Sequence, residues 1–328
     1  MGSLCVTFAA LFAAAYNLCM RKSVGSFHGT QSFLMVELWM ASICSYCLQN
    51  ALGAASTWNG MLVLSSLSLG GIFGATLYYL GKALAYGPSS LTIASLNASN
   101  VLPSFLLFAL FGPELGFPYY WHHFFGSLMV LAGIFWAAKG CGGTHQWRAW
   151  TLYCFLAIFC HVCFLVGLEW RSWMVRYPDS FAYLRIYPQD VAKSAYFLPL
   201  MYVGAACLHT LFCMQKGEKI VSLRACYLGT LGGVCNAFYA LFLARAAQYA
   251  SVLEHAVLFP LFSVATIFLC NLWGKWLYNE IVHWKGSLLA FSGIFLAMAD
   301  WRSSYLFFQD TFPHIWEQLR WLFSQASR

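Results

Sequence analysis

Along this chain, apolar runs alternate with short polar interruptions. The runs are about 17 to 25 residues long, the length at which a helix crosses the hydrocarbon layer of a bilayer. Ten can be marked, at 3–20, 30–49, 60–81, 90–111, 122–139, 149–170, 194–214, 223–244, 250–272 and 284–300. The longest polar interruption, 171–193, carries Arg171, Arg176, Asp179, Arg185 and Asp190 and follows the sixth run. Beyond the tenth, HIWEQLRWLF (314–323) sets apolar and charged faces at helical spacing. That pattern predicts an interfacial helix lying on the membrane, not an eleventh crossing.

Composition removes the water-soluble alternative. Of 328 residues, 61% are apolar and only 9% are Asp, Glu, Lys or Arg, against about 25% in soluble domains. So few charged side chains cannot clothe a water-facing surface, and most of the surface must face lipid. The expected fold class is all-α integral membrane, multi-pass, with no room for a separate soluble domain. The net charge of +7 comes from basic residues standing singly between apolar runs, which reads as interfacial anchoring and not as a nucleic-acid patch. The 13 cysteines fall mostly inside apolar runs. Even the pairs Cys44/Cys47 and Cys160/Cys163 read as small lipid- or core-facing residues and not as metal or redox sites. The first run has Arg21 and Lys22 after it and no basic segment before it, so it reads as a retained helix.

The chain also repeats itself. GSLMVLAGIFWAA (126–138) aligns without gaps to GSLLAFSGIFLAM (286–298), with 7 of 13 identities at an offset of 160. Leu69-Gly70-Gly71 echoes Leu231-Gly232-Gly233, and Ala83-Leu84-Ala85 echoes Ala244-Arg245-Ala246, in the same order. Each copy holds five runs, an odd number, so the second copy should enter the bilayer in the opposite sense. The expectation is ten transmembrane helices as two inverted five-helix repeats, 1–140 and 141–300, followed by a tail, 301–328. Inverted repeats of this kind serve alternating access in transporters.

ALAYGPSSLTIASLNASNVLPSF (83–105), FGPEL (111–115) and GSLMVLAGIF (126–135), with ARAAQYAS (244–251) and YNEIVHWKGSLLAFSGIFLAM (278–298) in the second half, resemble the half-repeat of the drug/metabolite transporter superfamily, EamA type. The resemblance implies a basket of ten helices with the substrate cavity between the halves. It also implies a bacterial inner (cytoplasmic) membrane location with both termini cytoplasmic. Basic residues divide nearly evenly between the two sides, so the positive-inside rule does not orient the chain by itself.

A charge in mid-bilayer costs at least about 2.5 kcal/mol, so a carboxylate there needs a use or a partner. Glu37 stands inside the second run with no cation within a helical turn. Glu254, beside His255, lies six residues before Pro260, as Asn97 lies six before Pro103. The two alignments of the halves differ by about one turn and so keep these positions on one face, expected to look into the cavity. Asn100, Asn236, Tyr239, Tyr78 and Tyr79 add polar groups. The candidate substrate-binding set is therefore Glu37, Tyr78, Tyr79, Asn97, Asn100, Asn236, Tyr239, Glu254 and His255. For each, hydrogen bonding between helices is the structural alternative. Gly70, Gly71, Gly74, Gly232 and Gly233 should permit close helix approach. Glu114, Glu280, Lys275 and Lys285 fall near span ends and should be solvated. His161 reads as a hydrogen-bonded core residue.

No Walker-A loop, G-x-S-x-G, H-E-x-x-H or metal-spaced carboxylate pair occurs, so ATP-driven pumping and membrane hydrolysis lack support. No cofactor or metal is called for. A secondary active transporter follows, with a small-molecule metabolite as partner, a coupling ion or counter-solute, and the lipid bilayer around it. The intramembrane acids favour a cationic or zwitterionic solute. The resemblance extends to a branch in intracellular bacteria that exchanges S-adenosylmethionine for S-adenosylhomocysteine, the most specific expectation. The alternatives are an amino-acid or amine exporter, a nucleotide-sugar or organophosphate carrier and, from another class, a membrane enzyme or a non-transporting scaffold.

Overall fold

The computed structural model describes residues 2–24, 29–52, 58, 60–99, 121–140, 146–176, 194, 196–215, 222–249, 252–280, 282 and 284–298, with scattered positions from 301 to 317. Ten helices lie among them: α1 Gly2–Val24, α2 Gly29–Ala51, α3 Gly60–Tyr86, α4 Ser89–Ala98, α5 Trp121–Gly140, α6 Trp147–Arg176, α7 Phe197–Gln215, α8 Leu223–Tyr249, α9 Val252–Tyr278 and α10 Trp284–Met298. Each overlaps one of the apolar runs, but α6 continues to Arg176, into the stretch expected to be a polar interruption, and α4 covers only the start of the run 90–111, most of which lies outside the described residues. Six of them, α1, α2, α3, α6, α7 and α8, are long and apolar enough to cross a membrane, and no strand occurs among the described residues. The chain is an all-α, multi-pass membrane protein in design. Its outer surface agrees: α6 exposes Leu152, Phe155 and Phe159 on one stripe, a face that water would not tolerate and lipid does. Of the tail, only Trp301, Leu306, Gln309, Asp310, Pro313 and Glu317 are described, all exposed. The predicted interfacial segment otherwise lies outside the described residues.

The main packing partners come from different halves of the sequence: α1 with α8, α3 with α6, α2 with α8, α3 with α7, α2 with α7 and α5 with α10. Side-chain pairs give the direction of each contact. Phe8 stacks on Phe242 and Phe12 on Phe238, both at 5.4 Å, so α1 and α8 run antiparallel. Phe73 meets Phe164 at 5.0 Å and Tyr86 stacks on Tyr153 at 5.5 Å, so α3 and α6 do too. Ser42 donates to the Pro199 carbonyl at 3.0 Å while Gln31 contacts His209 at 2.9 Å, an antiparallel pairing of α2 and α7. The pairs α3/α7 and α2/α8 run parallel, with Gly70 at Met201 and Gly74 at Ala205 in one, and Gly229 at Phe33 and Gly233 at Glu37 in the other.

Small residues set the spacing at these crossings. A Cβ on Gly70 would overlap the Met201 carbonyl and the Ala205 nitrogen, and one on Gly233 the Glu37 carbonyl and the Ala41 nitrogen. The same i, i+4 footprint thus occurs at both parallel crossings. In α5 and α10, a Cβ on Gly126 would lie 2.6 Å from Ala297 and the Gly293 carbonyl, and one on Gly133 2.5 Å from the Ala290 nitrogen. The two similar segments therefore pack antiparallel, with the first glycine of each against the second of the other. Gly71 departs from the expectation: nothing lies near the place its Cβ would take, because it falls on the outer side of α3 next to the crossing at Gly70.

The junction of α3 and α4 is also held from the other half. Gly87 lies against the Trp150 indole, whose Nε1 donates to Thr92 Oγ1 at 2.9 Å. Glu280, expected to be solvated, is instead half-buried. Its Oε1 accepts from the Ser89 amide at 2.9 Å and the Ser89 hydroxyl at 2.6 Å, and Arg21 lies 3.8 Å away. The reason is local: Asn279 takes a left-handed conformation (φ 51°), which turns the chain out of α9 and presents the carboxylate to the α4 N-terminus, where unpaired amides attract negative charge.

Gly70→Val is expected to lower the melting temperature in detergent, by about 1–3 kcal/mol of stability, while Gly71→Val leaves it nearly unchanged. Ser89→Ala and Glu280→Gln should each cost about 1 kcal/mol, and the double variant should cost clearly less than their sum. Additive losses would show that the two side chains do not share one contact.

Candidate functional site

Phe33, Leu34, Leu38 and Ala41 form the inward stripe of α2, and Glu37 falls on it with its side chain fully buried, at 0% exposure. Its position follows from helical spacing alone. Its partner comes from α8, where Asn236 donates through Nδ2 to Glu37 Oε1 at 2.7 Å. Asn236 Oδ1 accepts in turn from the Tyr202 hydroxyl of α7 at 2.9 Å. Three helices thus meet at one polar chain inside an apolar core. Glu37 Oε2 is buried with no hydrogen-bond partner among the described residues, so the carboxyl has capacity for one more donor or for a proton. Gly232 packs against the Glu37 side chain, with its Cβ position 3.4 Å from Cγ. Tyr16 of α1 lies within electrostatic reach of Glu37, Tyr202 and Tyr239, and Tyr239 stacks on Phe262 at 5.4 Å.

Of the residues chosen from sequence, Glu37, Asn236 and Tyr239 are brought to one place. Tyr202 and Tyr16 join them and were not foreseen. Tyr78 and Tyr79 lie elsewhere, near the end of α3. Their rings meet at 5.3 Å, Tyr78 contacts Phe212 at 5.3 Å with Lys82 Nζ 5.8 Å above it, and Tyr79 stacks towards Tyr153 at 6.4 Å. Asn97 donates to the Ile93 carbonyl of its own helix at 2.9 Å, two residues from the contact of Ser99 Oγ with His161 Nδ1 at 2.9 Å. Asn100 lies outside the described residues, as do the side chains of Glu254 and His255.

A second buried polar link escaped the sequence reading. His209 of α7 is fully buried and contacts Gln31 Oε1 at 2.9 Å through Nδ1 and the Gly74 carbonyl at 3.0 Å through Nε2. A carbonyl only accepts, so Nε2 carries a proton. A neutral ring then needs the Gln31 amide turned to donate to Nδ1. This link ties α2, α3 and α7 together and reads as interhelical glue. Among the described residues, no three His, Cys, Asp or Glu side chains gather as metal ligands would.

Tyr202→Phe removes one donor from the chain and leaves Asn236 Oδ1 unpaired. It should lower stability by about 0.6–2 kcal/mol in a detergent melt, whereas Tyr78→Phe should have no comparable effect.

No protein-family model matches this chain, and no curated protein does. Among solved structures 15 chains match. One, titled "Crystal structure of protein", is 19% identical, has a TM-score of 0.53, and is matched over 91% of this chain and 97% of that chain. That likeness is one of fold over nearly the full length.

Proposed function

We propose that this protein is a secondary active transporter, moving a small cationic or zwitterionic metabolite by alternating access between two inverted five-helix halves, 1–140 and 141–300. The observation that carries the reading is the direction of helix contacts. A chain crossing back and forth ten times must have helices of like parity parallel and of unlike parity antiparallel. The pairs α1/α8, α3/α6, α2/α7 and α5/α10 are antiparallel and α2/α8 and α3/α7 parallel, as that rule requires. Exchanging each helix for the one five places along turns α1/α8 into α6/α3 and α2/α8 into α7/α3, and maps α2/α7 and α5/α10 onto themselves. Such pairing is what a two-fold axis in the membrane plane would produce, and it supports the reading. It agrees with the internal repeat and with the resemblance to EamA-type drug/metabolite transporters.

Glu37 lies where the halves meet, which supports it as a solute-binding acid, with Asn236 and Tyr239 beside it and Asn97, Asn100, Glu254 and His255 assigned to the same cavity from sequence. In the present conformation it is sealed from solvent, as one closed step of a transport cycle requires. Aromatic residues around an acid suit a sulfonium and an amino group, so S-adenosylmethionine in exchange for S-adenosylhomocysteine is the specific reading. The setting is a bacterial inner membrane with both termini cytoplasmic.

Proteoliposomes preloaded with S-adenosylhomocysteine are expected to take up labelled S-adenosylmethionine at least about tenfold faster than empty ones, and Glu37→Gln should weaken binding by about 1.4 kcal/mol, or tenfold. Uptake of an amino acid or amine in its place would change the solute and keep the mechanism. No uptake of any member of a metabolite library would remove the transport reading.

A further inference from the structure

Glu37 raises a question that a solute-binding role does not answer: what balances its charge while the site is closed. The side chain is fully buried, Asn236 is its hydrogen-bond donor on Oε1, and Oε2 meets no partner among the described residues. Among the described residues, the titratable groups that face it are Tyr16 and Cys19 from α1 and Tyr202 from α7. None of these is a cation, and from α8 it meets Asn236 and the glycines. Two described cations of α1 and α8 are held elsewhere. Arg21 is engaged with the Leu84 carbonyl and Glu280 at the end of the bundle, and Arg224 with the Lys22 carbonyl. A carboxylate ion enclosed in this way, with one donor and no counter-charge among the described residues, is expensive to hold in a low-dielectric interior, and such a group is neutralised instead.

We propose that Glu37 is a proton-binding site, loaded while the two halves are closed on it, so that the proton is the coupling ion of this protein. The proposal rests on the transport reading for the word coupling, but not for the proton site itself. On closing, the carboxylate takes one proton onto Oε2 from the aqueous side to which it was last open. On opening, water and a cationic group can solvate the carboxylate, and the proton leaves. Asn236 stays bonded to Oε1 throughout and holds the carboxyl in one rotamer. No bond other than O–H is made or broken.

The test uses purified full-length protein in liposomes, read first by infrared spectroscopy without any solute. The wild type is expected to show a protonated-carboxyl band at neutral pH that disappears in Glu37→Gln and shifts on isotopic labelling of glutamate. Labelling assigns the band to a glutamate even if that variant fails to fold, and Glu37→Asp, which should move the band without abolishing it, assigns it to this position. A wild-type spectrum with no such band at neutral pH, or a band untouched by labelling and by Glu37→Gln, overturns the proton site. Labelled S-adenosylmethionine is then the probe for coupling. Its uptake should change at least about tenfold when a proton gradient is imposed, and Glu37→Gln should remove that dependence. Uptake that ignores the gradient overturns coupling. With the band present and no uptake under any condition, the proton site stands and the transport reading fails.

Discussion

Everything in this bundle depends on how closely its helices approach one another, because lipid supplies no hydrophobic force to press them together. What remains is dispersion and hydrogen bonding, both of which decay over a fraction of an ångström. Glycines at the crossings make the approach possible. Gly70 rests on the backbone of Met201 and Ala205, Gly233 on that of Glu37 and Ala41, and Gly126 and Gly133 on α10. The alanines of α1, Ala9, Ala10, Ala13 and Ala14, all buried, do the same on a broader face.

The chemistry of the centre is a consequence of that packing. Gly232 and Gly233 bring α8 close against α2 at Glu37, whose side chain is fully buried there with the Asn236 amide as its hydrogen-bond donor. A wider crossing would admit water, and the acid would be an ordinary solvated carboxylate. The polar links of the molecule follow one plan, since Glu37–Asn236–Tyr202, Gln31–His209–Gly74 and Ser89–Glu280–Arg21 each join elements distant in sequence.

Periodicity and composition by themselves determined a good deal. Runs of apolar residues long enough to cross a bilayer appear as helices at the expected places, since in hydrocarbon the backbone has no other way to satisfy its own hydrogen bonds. The repeat of GSLMVLAGIF in GSLLAFSGIF marked two segments that prove to pack on each other. Glu37 was conspicuous for the cost of a charge in an apolar run, and the glycine pairs for their spacing.

Partners were another matter. Nothing local joins Glu37 to Asn236, 199 positions away, and Tyr202 carries no mark in its own stretch of sequence that separates it from any other tyrosine in an apolar helix. Glu280 looked like a solvated residue near a span end, yet a single left-handed residue, Asn279, turns it onto the start of α4. Gly71 looked equivalent to Gly70, yet one step of 100° on the helix puts it outside the contact. Sequence decides which residues are expensive to place in a membrane, because that cost is set by each side chain against its solvent. Tertiary structure decides how the cost is met, because hydrogen bonds and close packing act over distances that only the folded chain defines.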